Sequence, residues 1–258
     1  MKSEPILQVD GVAKSFGGLN ILKNLTFDVR KGERIGIIGP NGAGKTTFYN
    51  LLAGDLDPSK GTIHYCGKNI TSMPNYKRAR TGIVRTFQKN NLLTELTVLE
   101  NLLLVLQRKE GMGHIWFKRR HRKKYPSLFQ KADELLHTWG LEQQTNKVVK
   151  SLSYGEQRQI EILLGIATEP NVLLLDEPTA GMSQAETDYI VDLLRKLPKS
   201  LTLMIIEHDL DVVFGLADRM IVLYNGEILV EGDPHLVRND KRVNDIYIGQ
   251  EADLSASS

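Results

Sequence analysis

At 258 residues the chain has room for one large α/β domain or two small ones, and its 41% hydrophobic and 25% charged composition is that of an ordinary globular protein. No apolar run of about 18 residues predicts a membrane-spanning helix, the opening Met1-Lys2-Ser3-Glu4-Pro5 lacks the apolar core of a signal peptide, and the single cysteine, Cys66, excludes an intramolecular disulfide. A net charge of +2 is too small to argue for nucleic acid by itself, and together these features lead to the expectation of a cytoplasmic protein.

Strands are predicted at residues 6–12, 25–29 and 35–38, with turns at Gly17-Gly18 and Lys31-Gly32. The third strand runs straight into Gly39-Pro40-Asn41-Gly42-Ala43-Gly44-Lys45-Thr46-Thr47, the G-x-x-x-x-G-K-[ST] phosphate-binding pattern in its strand–loop–helix context. Glycines let backbone N–H groups curl around a polyphosphate that a bulky Cβ would hold off. Lys45 adds a point charge near the β- and γ-phosphates, and Thr46 offers a hydroxyl to Mg2+. A helix predicted over residues 44–53 aims its positive end at the same anion. A nucleoside triphosphate is the expected ligand.

Residues 61–66 form the next predicted strand, with Cys66 as a small packing residue in it, and Gly67-Lys68 turns the chain back. Residues 82–87 read as a buried strand, and 97–107 carry a nearly all-round apolar helical pattern. Between Gln107 and Ser127, Arg108, Lys109, Lys118, Arg119, Arg120, Arg122, Lys123 and Lys124 face one acid, Glu110, with Trp116 and Phe117 among them. This segment reads as a solvated connection between helices or as a surface for an anionic membrane or nucleic acid. Helices follow at 126–139, closed by Gly140, and at 154–168, where Pro170 forbids extension.

The second half alternates more cleanly. Residues 172–175 make a strand without a polar residue, as in the buried middle of a parallel sheet, and it ends in Asp176-Glu177. Such a strand delivers Asp176 to the carboxyl end of the sheet, beside the phosphate loop, where ligands bind. Asp176 is therefore read as the Mg2+ holder, acting through water, and Glu177 as the group that polarises the attacking water. A helix over 183–197 with Ser183 as its cap, a strand over 201–206, a helix over 210–216 and a strand over 219–223 follow. Asn225-Gly226 is a hairpin turn into 228–231, short helices are expected near His235 and Asn244, and the small polar residues 251–258 read as a disordered tail. The alternation predicts an α/β core with a mainly parallel sheet. The opening strands add an antiparallel β layer, and the helices before residue 168 add an inserted α-helical subdomain. The expected organisation is one nucleotide-binding domain over 5–249, with a helical subdomain at about 90–168 and a disordered tail at 250–258.

Leu152-Ser153-Tyr154-Gly155-Glu156-Gln157 opens a helix about twenty residues before the strand that ends in Asp176. With it the chain resembles, over roughly residues 5 to 249, the P-loop NTPase cassette of ATP-binding cassette (ABC) transporters, whose signature is Leu-Ser-Gly-Gly-Gln. The resemblance implies that Ser153, Gly155 and Glu156, at a helix N-terminus, clasp the γ-phosphate of ATP bound to an opposite subunit. Tyr154 and Glu156 depart from the usual Gly and Gln. It further implies that Phe16 stacks on adenine and that Gln88, after Arg85-Thr86-Phe87, touches Mg2+ and the attacking water and senses the membrane partner. His208, in Ile205-Ile206-Glu207-His208-Asp209, would contact the γ-phosphate from a strand end. Ala180-Gly181-Met182-Ser183 occupies the place of the loop that crosses the dimer interface, with Met182-Ser183 in place of Leu-Asp.

A narrower resemblance rests on Leu96-Thr97-Val98-Leu99-Glu100-Asn101, the long basic insertion, the Leu-Ser-Tyr-Gly-Glu-Gln-Arg and Ile-Ile-Glu-His-Asp runs, and the ending Tyr247-Ile248-Gly249. Together these are similar to the ATP-binding subunits of branched-chain amino acid importers, a group with relatives for urea and short amides. The lipopolysaccharide-export ATPase shares the compact plan. What the resemblance implies is an ATPase using ATP and Mg2+, peripheral on the cytoplasmic face of the inner membrane. Its implied partners are a second ATP-binding subunit, identical or closely related, transmembrane permease subunits and an extracytoplasmic solute-binding protein, with no nucleic acid. The competing class is a soluble ABC ATPase acting on nucleic acid or ribosomes, which usually carries two cassettes or a long coiled-coil insertion.

Overall fold

The computed structural model describes residues 4–86, 92–111 and 122–247. Gln88, the stretch with Trp116, Phe117, Lys118, Arg119 and Arg120, the Ile248-Gly249 ending and the tail at 250–258 lie outside the described residues. In chain order the first elements are β1 (Leu7–Phe16), β2 (Leu19–Val29), β3 (Arg34–Ile38), α1 (Lys45–Ala53), β4 (Lys60–Tyr65), β5 (Lys68–Asn69), α2 (Asn75–Thr81) and β6 (Ile83–Arg85). Three helices follow, α3 (Val98–Lys109), α4 (Pro126–Thr138) and α5 (Tyr154–Ala167). The remainder is β7 (Val172–Asp176), α6 (Gln184–Arg195), β8 (Thr202–Ile206), α7 (Leu210–Leu216), β9 (Arg219–Tyr224), β10 (Glu227–Gly232) and α8 (Pro234–Arg238).

These elements form two compact units. The first takes the described residues of Met1–Arg85, Asn171–Pro178 and Leu194–Ser258, and the second takes those of Thr86–Pro170 and Thr179–Leu193. Both sheets belong to the first unit. One is antiparallel, in the order β2-β1-β4-β5, and is the β layer expected from the opening strands. The other has the order β10-β9-β3-β8-β7-β6 and is parallel except for the β9–β10 hairpin. Parallel neighbours end on the same side, so the chain ends of β3, β6, β7 and β8 lie along one edge of the sheet, where α/β folds bind their ligands.

Alternation along β3 explains how this sheet is covered. Ile35 and Ile37 pack into a cluster with Val9, Val12 and Phe27 of the β layer and Phe48 and Leu52 of α1, whereas Ile38 faces a second cluster with Val213, Val222 and Val237. Gly36 points to that second side, and a Cβ there would lie 2.1 Å from Val213 Cγ1, so α7 rests directly on the strand backbone.

The far end of α1 is held by a residue that the sequence reading passes over. Arg78, on the unanticipated helix α2, is fully buried and donates to the carbonyls of Leu51, Leu52, Ile70, Thr71 and Met73. It thereby satisfies carbonyls left open at the helix end. Burial lowers its pKa to about 10, partly offset by Asp57 and Asp55. Two further expectations are corrected. Of the strand predicted over 82–87, the described part, β6, is buried only in part and ends the strand order among the described residues. Cys66 is an exposed turn residue with φ +47° rather than a packed strand residue.

The second unit is helical. α3 buries Val98, Leu102, Leu103 and Leu106, and its start is fixed by a reciprocal cap in which Thr97 Oγ1 accepts from the Glu100 amide while Glu100 accepts from the Thr97 amide. Phe129, Ala132 and Leu136 of α4 and Ile160 and Leu163 of α5 bury the matching faces. Of the described basic residues of the insertion, Lys109 pairs with Glu169, and Arg122 pairs with Asp133 and lies 5.4 Å from the Phe129 ring centre. Hydrogen bonds from Lys109 and Lys131 bring the Glu169 carboxyl down to about 2.

Candidate nucleotide site

The phosphate loop begins where β3 ends. Gly39 has φ +153°, and a Cβ there would lie 2.2 Å from the Leu223 carbonyl oxygen; Gly44 has φ +101°, and its Cβ would lie 2.5 Å from Leu22 Cδ2. Neither position accepts a side chain, which is the structural reason for glycine at both. Pro40 and Ala43 are buried beneath the loop, while Asn41, Gly42 and Thr46 are exposed and Thr47 is half-buried. Gly44 caps α1, whose first turn carries no acid, so the positive end of the helix is not neutralised by its own residues.

Lys45 is buried and its ammonium donates to the carbonyls of Gly39 (2.5 Å) and Pro40 (3.0 Å). Burial lowers its pKa, and the charges of Glu177 and Asp176 pull the other way. Both acids are thus within electrostatic reach of the loop lysine. Asp176 is wholly buried at the end of β7, and its Oδ2 accepts from Arg85 Nη2 at 2.6 Å. The neighbouring Tyr49 hydroxyl is pushed well up, first by burial and then by the Asp176 charge.

Glu177 adopts the left-handed conformation, φ +48°, with its amide donating to the Ile206 carbonyl at 2.8 Å. For a residue with a full side chain this costs on the order of 1–3 kcal/mol, a strain that clusters at functional sites. The turn brings Glu177 Oε1 to 2.6 Å from His208 Nε2. The structure therefore joins the two residues through a direct hydrogen bond, a contact that motif spacing does not express. Phe16, at the end of β1, is 47% exposed and lies under the Lys14 ammonium, 4.9 Å from the ring centre, so it is a presented aromatic and not a core residue.

The donor set suits Mg2+. A buried carboxylate and an exposed hydroxyl on the first turn of the loop helix are hard oxygen donors, and Mg2+ is commonly held by one or two protein groups plus substrate phosphates. Among the described residues there is no cluster of three or more His, Cys, Asp or Glu that would suit a transition metal instead.

In the second unit the signature residues form a closed cap. Ser153 Oγ accepts from the Glu156 amide (3.2 Å), and Glu156 Oε2 accepts from the Ser153 amide (2.9 Å). Glu156 Oε1 also accepts from Gln144 (2.8 Å). Burial works to raise the Glu156 pKa, but the bonds from Gln144 and Ser153 outweigh it and the group is lowered. The carboxylate completes the capping box, a role that glutamine also fills, so the departure from Gln to Glu leaves the cap intact. Gly155 lies so close to Glu186 that a Cβ would sit 2.2 Å from its Oε1, and Glu186 is itself held by Ser183, in a second cap of the same design. Tyr154 is exposed and lies against Gly181. A cavity of about 220 Å3 beside this cap is lined by Gly155, Glu156, Gln159, Met182, Glu186 and Tyr189, among others.

A protein-family profile described as ABC transporter matches residues 22–180, a span that contains the phosphate loop, the signature and the Asp176-Glu177 pair. The chain belongs to the ABC transporter family. It is an ATP-binding subunit of that family, which hydrolyses ATP. A relative in Salmonella typhimurium, the high-affinity branched-chain amino acid transport ATP-binding protein LivG, is 38% identical over 253 residues, covering 96% of this chain and 99% of the relative. A solved ATP-binding cassette of an ABC transporter in its ADP conformation is 32% identical, with a TM-score of 0.81, covering 96% of this chain and 100% of that one. Another cassette, solved as a dimer in a post-hydrolysis state bound to ADP and Pi, is 27% identical with a TM-score of 0.72, covering 88% of this chain and 98% of that one.

The reading from sequence quoted Arg85 only as a neighbour of Gln88. The structure puts its guanidinium on the buried carboxylate. The available signal was a cation at the end of an otherwise apolar strand, where charges are rare unless paired.

Proposed function

We propose that this ABC subunit acts as one half of a head-to-tail pair, hydrolysing ATP to drive import of a small polar solute of the branched-chain amino acid type. The proposed cassette spans residues 5–249. Gly39, Pro40, Asn41, Gly42, Ala43, Gly44, Lys45, Thr46 and Thr47 bind the phosphates through backbone N–H groups and the Lys45 charge, and Phe16 stacks on the adenine. Thr46 and Asp176 would hold Mg2+, which supplies neutralisation of the phosphate charge, with Gln88 assigned to the same ion on sequence alone. Glu177 polarises the attacking water, and His208 holds Glu177 by the 2.6 Å hydrogen bond. Ser153, Gly155 and Glu156 of a second subunit complete the site from the helix N-terminus of α5. ATP touching both subunits favours the closed pair, and loss of the γ-phosphate releases it, which is a differential affinity for one state.

The observation that carries the catalytic part is the convergence of Lys45, Asp176, Glu177 and His208 within one compact unit, with Glu177 in a strained backbone conformation. The dimeric cassette bound to ADP and Pi supports the pairing, and the name of the Salmonella relative supports the solute class. Transmembrane permeases and an extracytoplasmic solute-binding protein are the further partners, and the subunit sits peripherally on the cytoplasmic face of the membrane. Among the described residues no helix is long and apolar enough to cross a membrane.

The Glu177→Gln variant tests the mechanism. Hydrolysis should fall on the order of 100-fold or more while ATP affinity stays within about threefold. Unchanged turnover would remove Glu177 from the catalytic role. ATP-dependent uptake of leucine, isoleucine or valine by vesicles carrying the purified complex tests the solute class. Hydrolysis stimulated by RNA, with no membrane protein co-purifying, would contradict transport.

A further inference from the structure

Arg85 is a buried cation next to the nucleotide site, and no step above uses it. Its side chain is 8% exposed and that of Asp176 is 0% exposed. One guanidinium nitrogen, Nη2, donates to Asp176 Oδ2 at 2.6 Å. The other, Nη1, donates to Asn50 Oδ1 at 2.5 Å and to Asp55 Oδ2 at 3.2 Å. The guanidinium carbon lies 6.0 Å from the centre of the Tyr49 ring. Asn50 and Tyr49 are on α1, the helix that starts at the phosphate loop, and Asp55 follows it directly.

Strand register explains the contact. β6 pairs in parallel with β7, and Arg85 stands opposite Leu174. Side chains two residues apart on a strand share a face, so Leu174, Asp176 and Arg85 project to the same side, and the long arginine reaches forward one step to the carboxylate. A planar fork with two donor edges fixes the direction of a carboxylate as well as neutralising it, which an ammonium on a flexible stem does not. A carboxylate buried without such a partner would be costly and free to rotate.

We propose that Arg85 is the positioning residue of the metal-holding acid: its guanidinium bolts Asp176 to α1, presetting the carboxylate toward the phosphate loop. The proposal rests on reading Asp176 as the Mg2+ ligand.

The test is binding of a fluorescent ATP analogue to the purified full chain, titrated with Mg2+ and repeated in EDTA, for Arg85→Ala, Arg85→Lys, Asp176→Asn and the double variant Arg85→Ala/Asp176→Asn. Arg85→Ala should raise the Mg2+ concentration at half-maximal binding on the order of tenfold, the scale seen when outer partners of metal ligands are removed. Binding in EDTA should stay within about twofold of the unsubstituted protein. Arg85→Lys, which keeps the charge but loses the fork, should give an intermediate shift of about threefold, and it carries the test if the alanine variant does not fold. In the Asp176→Asn background the Arg85→Ala change should add nothing. An unshifted Mg2+ midpoint in the arginine variants, or an equal shift with and without Asp176, would overturn the positioning role. An unshifted midpoint in Asp176→Asn alone would instead remove the reading on which it rests, and the proposal with it.

Discussion

The nucleotide-site residues of the first unit and the helix starts of the second secure their polar groups by opposite means. In the first, the groups that meet come from distant parts of the chain: Arg85 finds Asp176 across 91 positions and Glu177 finds His208 across 31. In the second, three helix starts close on partners three residues away, Ser153 with Glu156, Ser183 with Glu186 and Thr97 with Glu100. Each of these caps needs only the start of its own helix, whereas the long-range set exists only once the parallel sheet has aligned β6, β7 and β8. A lesion in the first unit should therefore disturb stability and nucleotide binding strongly, and a lesion in a cap of the second should cost little beyond its own helix.

The largest effect is expected at Arg78. Arg78→Ala strips the buried carbonyls at the end of α1 of their donor, and urea unfolding should show a loss of roughly 3 kcal/mol or more. A loss below about 1 kcal/mol would break the contrast between the units, because it would make the long-range set no stronger than a cap. Next comes Lys45→Ala. Removal of the charge from the loop should lower ATP affinity by about 2–3 kcal/mol, on the order of 100-fold by calorimetry, with the fold retained.

The caps of the second unit should respond more mildly. Glu156→Ala opens the box on Ser153 and should cost about 1 kcal/mol of stability, whereas Glu156→Gln keeps an acceptor and should be nearly neutral in the same unfolding measurement. If Glu156→Gln destabilised as much as the alanine, acceptance from the Ser153 amide would not be what the residue contributes. The smallest effect concerns pH. The Glu169 carboxyl lies at about 2 against an ordinary 4.5 because of Lys109 and Lys131, so its contribution is present above about 4.5 and is lost as pH falls toward 2. Acid unfolding followed by circular dichroism should show this loss in the unsubstituted chain and not in Glu169→Gln. The group is more than half exposed, so solvent screening keeps the difference small.

The same contrast decides what could be read from the sequence. The phosphate loop, the apolar run into Asp176-Glu177 and the Ser153 cap each declare themselves within a few residues, because backbone geometry and local spacing carry their chemistry. The helix α6 also follows Ser183 as its cap, as expected. What escaped depends on tertiary alignment. Arg85 stands in an apolar strand, and only the pairing of β6 with β7 reveals its partner. Arg78 lies on α2, a short helix without an apolar period, stabilised by the carbonyls it meets rather than by its own pattern. Cys66 looked like the end of a strand, yet the chain turns one residue earlier, and the cysteine takes the left-handed position of that turn. The Glu177–His208 bond was likewise hidden, since each residue was assigned to the γ-phosphate region separately.

The central claim is that one chain supplies half of the nucleotide site and a second molecule completes it through Ser153 and Gly155. Sedimentation velocity of the Glu177→Gln variant tests it most directly, because ATP stays bound while hydrolysis is stalled. With saturating ATP and Mg2+ the variant should sediment as a dimer, and with ADP as a monomer. A monomer with ATP demonstrably bound at the phosphate loop would contradict the account.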